Sequence, residues 1–130
     1  MSSVAIRDVQ TDLEGVFLSP AWADHNIVVV PDDFPLVGEG VKFKIDGSSR
    51  SYYYGGYGIT GKLYLSIYTK AGRGQTGANE IIDILNTLFQ GRTFDSGTQT
   101  GPSTSISLGI DRDNRSLMRT DYSVPFTKFS

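Results

Sequence analysis

One stretch of this chain, Gly61 to Gly91, leaves few folds open. It reads as strand, glycine turn and helix in immediate succession: GKLYLSIYT, KAGRGQTG, ANEIIDILNTLFQG. In the first part Leu63, Leu65 and Ile67 alternate with Tyr64, Ser66 and Tyr68. That period of two marks a strand with one face on a core. In the last part Ala78, Ile81, Ile82, Leu85, Leu88 and Phe89 recur at spacings of one, three and four. They form one apolar stripe opposite Asn79, Glu80, Asp83, Asn86, Thr87 and Gln90, which predicts an amphipathic helix over 77–90. Thr76 reads as its N-cap, Glu80 and Asp83 suit its positive end, and Gly91 suits C′ with Arg92 just beyond.

Between strand and helix, Gly72, Gly74 and Gly77 spell G-x-G-x-x-G. A dinucleotide site needs that turn between a parallel strand and a helix, with an acid some 20 residues on. Asp95 lies 18 residues after Gly77. The strand argues the other way, because a central parallel strand reads as an unbroken apolar run and this one alternates. Lys70 and Ala71 also separate it from the first glycine, and no helix pattern follows Asp95 to build a second βαβ unit. The glycines therefore read as backbone freedom at a corner between sheet and helix. A small nucleotide-dependent enzyme using Gly72 to Gly77 is the competing reading.

Elsewhere Ile6, Val9, Leu13, Val16 and Phe17 predict a helix over 4–17, weakened at its end by Gly15 and stopped by Ser19-Pro20. Asn26 to Val30 reads as a short buried strand and PDDFPLVGEG as irregular loop. Val41, Phe43 and Ile45 alternate with Lys42 and Lys44, a half-buried strand. SYYYGGYG carries Tyr52, Tyr53, Tyr54 and Tyr57 among glycines. Arg92 to Asp95 suits a short strand. Ile106, Leu108 and Ile110 alternate, as do Met118, Thr120, Tyr122, Val124 and Phe126, around the turn Asp111 to Asn114. That pattern predicts a β-hairpin. Pro125 cannot donate to a ladder and so marks a strand end or an edge.

The 130 residues suit one domain. With no cysteine, disulfides, thiol catalysis and cysteine-ligated zinc are excluded, and the composition fits a protein made in the cytoplasm. Twelve basic against fourteen acidic residues leave a formal charge of −2, a poor balance for gripping a phosphate backbone. His25, the single histidine, rules out a three-histidine metal site, and no G-x-S-x-G is present. Asp111 and Asp113 begin like a calcium loop, but Arg115 and Tyr122 occupy positions where it needs oxygen ligands. These residues predict neither a catalytic site nor a bound metal or cofactor. No apolar run approaches the roughly 20 residues of a membrane span. The tyrosines lack the interleaved basic residues of a single-strand binder, which leaves protein contact or packing on their own sheet.

From Gly61 to Phe94 the chain resembles the middle of phage tail terminator-like proteins. The likeness rests on a glycine before an alternating strand (Gly61, Leu63 to Ile67), a G-x-G turn (Gly72 to Gly74), a helix ending in phenylalanine (Ala78 to Phe89) and a short strand (Arg92 to Phe94). Val124-Pro125-Phe126 near the end, and Trp22 in the loop after the first helix, extend it. SYYYGGYG has no counterpart in that pattern.

The resemblance implies one tail-terminator-like domain over 1–130. Its expected fold is α+β: a mostly antiparallel sheet of four to six strands, with two helices, about 4–17 and 77–90, packed on one face. It implies a structural role in the virion. A homo-oligomeric ring, hexameric in such proteins, caps the head-proximal end of the tail tube, stops tube polymerisation and meets the head connector. Partners would be the major tail tube protein and the head-completion protein, with genomic DNA only passing through the lumen. Another head–tail joining or minor tail protein is the nearest alternative. Subunit or tube contacts are expected on Tyr64 and Tyr68, on Tyr52, Tyr53, Tyr54 and Tyr57, and on the Lys42/Lys44 face.

Overall fold

The alternation at Leu63, Leu65 and Ile67 and the stripe on the following helix do meet, in a computed structural model that describes residues 2–51 and 57–129. Helix α1 covers Ser2–Leu18 and α2 is a single turn, Pro20–Ala23. Strands β1, Val29–Pro31, and β2, Gly40–Ser51, follow. Then come β3, Tyr57–Lys70, a 3-10 turn at Ala71–Arg73, and α3, Gln75–Phe89. Strands β4, Gln99–Thr100, β5, Thr104–Ile110, and β6, Leu117–Phe129, complete the described chain. The fold is α+β, dominated by a six-stranded sheet in the order β1-β2-β3-β6, with β4 and β5 both against β6. Among the described residues only β1–β2 is parallel; the other pairings are antiparallel.

Register explains which side of each strand is buried. Val41 pairs Ile67, Phe43 pairs Leu65 and Ile45 pairs Leu63. Leu65 in turn pairs Tyr122, Leu63 pairs Val124 and Gly61 pairs Phe126. Directly opposed residues share a face, so these rows make one continuous inner face. Onto it α1 places Val9, Leu13, Val16 and Phe17, and α3 places Ile81, Leu85, Leu88 and Phe89, all buried in one cluster. Phe17 joins the layers: its ring lies 5.5 Å from Phe43 on β2 and 5.4 Å from Phe89 on α3. Trp22 meets it edge-on at 5.1 Å and is 1% exposed. Pro20 suits the first position of α2, where no N–H is needed, and the turn it starts carries Trp22 from the connection into the core.

Several local expectations are corrected. Helix α1 runs unbroken through Gly15 to Leu18, its buried stripe outweighing one glycine. Helix α3 starts at Gln75, so Thr76 lies inside it, and Gly74 at φ +59° is the N-cap. The left-handed turn there needs a glycine more than a capping side chain. The far end is as expected, with Gly91 at φ +61° and the Arg92 guanidinium donating to the Leu88 carbonyl at 3.0 Å. The 92–95 strand reduces to one bridge, Thr93 to Gln99, because Phe94 turns inward beside Phe89.

Pro125 sits in the middle of β6, neither at its end nor on an edge strand. Its carbonyl accepts from Gly101 N–H at 2.9 Å, on the side away from β3. A strand residue aims N and C=O the same way, so the missing N–H falls where residues 101–103 leave the ladder between β4 and β5. No bond to β3 is lost.

Candidate interface

Among the described residues no helix lies over the other face of the sheet. Alternation puts Lys42, Lys44 and Asp46 of β2 there, with Lys62, Tyr64, Ser66 and Tyr68 of β3 and Arg119, Asp121 and Ser123 of β6. The register sets them in rows: Lys44 opposite Tyr64 opposite Ser123, Lys42 opposite Ser66 opposite Asp121, and Tyr68 opposite Arg119. So four of the expected contact residues, Lys42, Lys44, Tyr64 and Tyr68, do share one surface. Tyr52, Tyr53 and Tyr54 lie outside the described residues, as does the side chain of Tyr57, whose backbone opens β3.

At the centre is a polar cluster that the sequence did not announce. Arg119 Nε donates to Asp121 Oδ1 at 2.9 Å and Arg119 Nη2 donates to Ser66 Oγ at 3.3 Å. Ser66 Oγ–H donates to the same carboxylate oxygen at 3.4 Å. The guanidinium carbon stands 6.0 Å from the centre of the Tyr68 ring, the outer limit of a cation–π contact. Partial burial raises the Tyr68 phenol pKa, with the nearby Arg119 charge opposing it. The phenol therefore stays a neutral donor and acceptor around pH 7. These strands leave a shallow groove of about 320 Å³ bordered by Lys42, Lys44, Tyr64, Arg119, Asp121 and Asp32.

Cations and carboxylates alternate across this surface around two tyrosines, one of them, Tyr64, 43% exposed. Tyrosine and arginine are the residues enriched in protein interfaces. Mixed charge at fixed spacing orients a partner and discriminates against wrong ones. The only signal available in the sequence was alternation in β6, which sets Arg119 and Asp121 on the polar side. Their meeting with Ser66 depends on the β3–β6 pairing, which alternation does not reveal.

The glycine turn has different surroundings. β3 is antiparallel to both neighbours, so Gly72 to Gly77 do not follow a parallel strand. Glu39 accepts from the Lys70 N–H at 3.2 Å and from Arg73 at 3.4 Å, and Glu80 holds the other arm of Arg73 at 2.9 Å. Two carboxylates thus stand where a pyrophosphate would need free donors. Asp95 lies beyond the C-terminal end of α3, about 22 Å of helix from the turn at 1.5 Å per residue. His25 is exposed and borders a second, separate groove beside Glu39 and Arg73, at the start of α3. No helix among the described residues is long and apolar enough to cross a membrane.

No protein-family model and no curated protein matches this chain. Among solved structures, a chain from the virion of a native gene transfer agent (GTA) particle is similar in fold, with a TM-score of 0.64. The two are 14% identical, and the match covers 93% of this chain and 94% of that one.

Proposed function

We propose that this chain is a structural protein of a phage-type virion, acting as a tail terminator or tail-completion protein. It forms an oligomeric ring, hexameric on the family resemblance, at the head-proximal end of the tail tube. There it stops tube polymerisation and offers the head connector its docking surface. The reading is non-enzymatic: the protein acts by occupying the end of a polymer. The observation that carries it is the end-to-end fold similarity to a virion component, which leaves almost no part of either chain over. The helix-free face with Tyr64, Tyr68, Lys42 and Lys44 supports it by supplying a contact surface for tube or neighbouring subunit. A formal charge of −2 suits a lumen through which DNA slides without being held.

The same similarity supports a neighbouring role, another head–tail joining or minor tail protein of this fold. Tube assembly separates the two. Purified chain added to polymerising tube protein should shorten the tubes and appear at one end only. Tyr64→Ser with Tyr68→Ser should weaken tube binding or ring formation while the melting temperature stays put. Unchanged tube lengths, with no retention in a pull-down by tubes, would remove the terminator reading.

A further inference from the structure

Among the described residues, both edges of the sheet are apolar and unpartnered. β5 pairs only with β6, and its side chains Ile106, Leu108 and Ile110 are 59%, 52% and 53% exposed. The alternation of TSISLGI suggested a buried side. Instead a bulge between Ser107 and Gly109, with Gly109 at φ +78°, breaks the register. Ile106 lies opposite Asp121, on the helix-free side of the sheet. At the other edge, β1 pairs only with β2. Val28 just before it is exposed, as are Phe34 and Val37 in the loop after it, and the Phe34 N–H is tied to the Pro31 carbonyl at 3.0 Å. Neither Ile27–Pro31 nor Thr104–Ile110 contains a charged residue, although charge is a usual protection of an exposed edge.

Two further facts relate these edges to each other. First, they lie at one height. The pairings run Val30, Lys42, Ser66, Asp121, Ile106 straight across the sheet. Second, their directions match. β1 is parallel to β2, β2 antiparallel to β3, β3 to β6 and β6 to β5. β5 therefore runs opposite to β1, and a second copy placed beside the first without being turned over would set its β1 antiparallel to this β5.

The geometry points to the β5 edge and the β1 edge, with its Val28, as the two halves of one head-to-tail joint between copies of this chain. The proposal deepens the ring reading and rests on it, since it names the surfaces that close the ring. Unlike patches on opposite edges make a heterologous contact, and a joint without displacement along the strands can close rather than climb into a filament. Pro31 and the bulge shorten the row of backbone groups available, so side-chain burial carries the joint and indiscriminate strand pairing is limited.

The chain has no cysteine, so introduced thiols report on the joint alone. Val28→Cys and Leu108→Cys are made singly and together in the full chain and joined with a short bis-maleimide linker. Each single variant alone should stay uncrosslinked, while co-expressed single variants should give a covalent dimer and the double variant a ladder up to the ring number. Leu108→Lys should raise the concentration for half-assembly about tenfold or more, one decade being 1.4 kcal/mol, with an unchanged melting temperature. Leu108→Cys crosslinking to itself would show a two-fold β5–β5 joint and overturn the proposal. So would rings of wild-type mass in which the co-expressed pair never crosslinks; in that case the ring reading survives. A wild-type chain that is monomeric alone and on tubes, or one that crosslinks only to tube protein, would overturn the ring reading and the joint with it.

Discussion

Gly61 offers a sharp test of the sheet. It lies within β3 opposite Gly47, where β2 and β3 approach closely. A Cβ on Gly61 would fall inside the van der Waals shell of the Asp46 carbonyl oxygen and 2.6 Å from Gly47 Cα. Both obstacles are backbone, so no rotamer change relieves them and the two strands must move apart. Overpacking of a core costs about 1–3 kcal/mol, and a backbone obstacle belongs at the upper end or beyond. For a domain of this size 1 kcal/mol moves Tm by about 4 °C, so Gly61→Ala should lower Tm by about 10 °C or more. Gly72→Ala is the control with the opposite sign. Gly72 has nothing within 4 Å of its would-be Cβ and no positive φ. Alanine there restricts mainly the unfolded chain and should stabilise by about 0.4–1 kcal/mol. Both are read by calorimetry or thermal circular dichroism. A Gly61→Ala protein melting with the wild type would refute the β2–β3 register, because that register alone produces the clash.

Leu85 is fully buried in the cluster between α3 and the sheet. Leu85→Ala should cost about 2–5 kcal/mol in urea unfolding, and Leu85→Asp, which leaves an unpaired charge there, should yield no folded protein by the same assay. Tyr122 is 1% exposed and its hydroxyl donates to Asn86 Oδ1 at 2.8 Å. Burial raises its pKa, with a hydrogen bond to Ser103 opposing. Above pH ~10 the unfolded chain loses this proton while the folded chain keeps it, so stability falls as pH rises towards the folded value. Tyr122→Phe should lose about 0.5–1.5 kcal/mol at neutral pH and show a shallower alkaline loss in urea melts taken upward from about pH 10.

What the sequence disclosed follows from what periodicity encodes. A period of 3.6 or 2 records which side of an element is buried, and that was enough to place Leu85 and Phe89, Leu63 and Leu65, and Tyr122 and Val124 on one core. It also placed Lys42, Lys44, Tyr64 and Tyr68 on the opposite side. Periodicity does not record neighbours. The Ser66–Asp121–Arg119 cluster joins positions 55 and 53 residues apart, through a pairing of β3 and β6 that no local rule predicts. Pro125 was misplaced for the same reason, since its tolerance depends on a gap between two other strands. Ile106, Leu108 and Ile110 carry a burial pattern without the burial. Alternation alone cannot distinguish a strand covered by its own chain from one left for another molecule.

The proposed joint between edges would constrain the rest of the assembly. If copies meet edge to edge without turning over, the sheet continues through the ring and its two faces become the ring's walls. The helices then lie on one wall and the Tyr64/Tyr68 face on the other, while strand ends and turns form the rims. On that arrangement Tyr64→Ser with Tyr68→Ser weakens tube binding but leaves the mass of the ring unchanged, and only Leu108→Lys lowers it. The reverse result would place the subunit contact on the tyrosine face. Sedimentation velocity of the two variants side by side therefore separates a ring built through its edges from one built through its face.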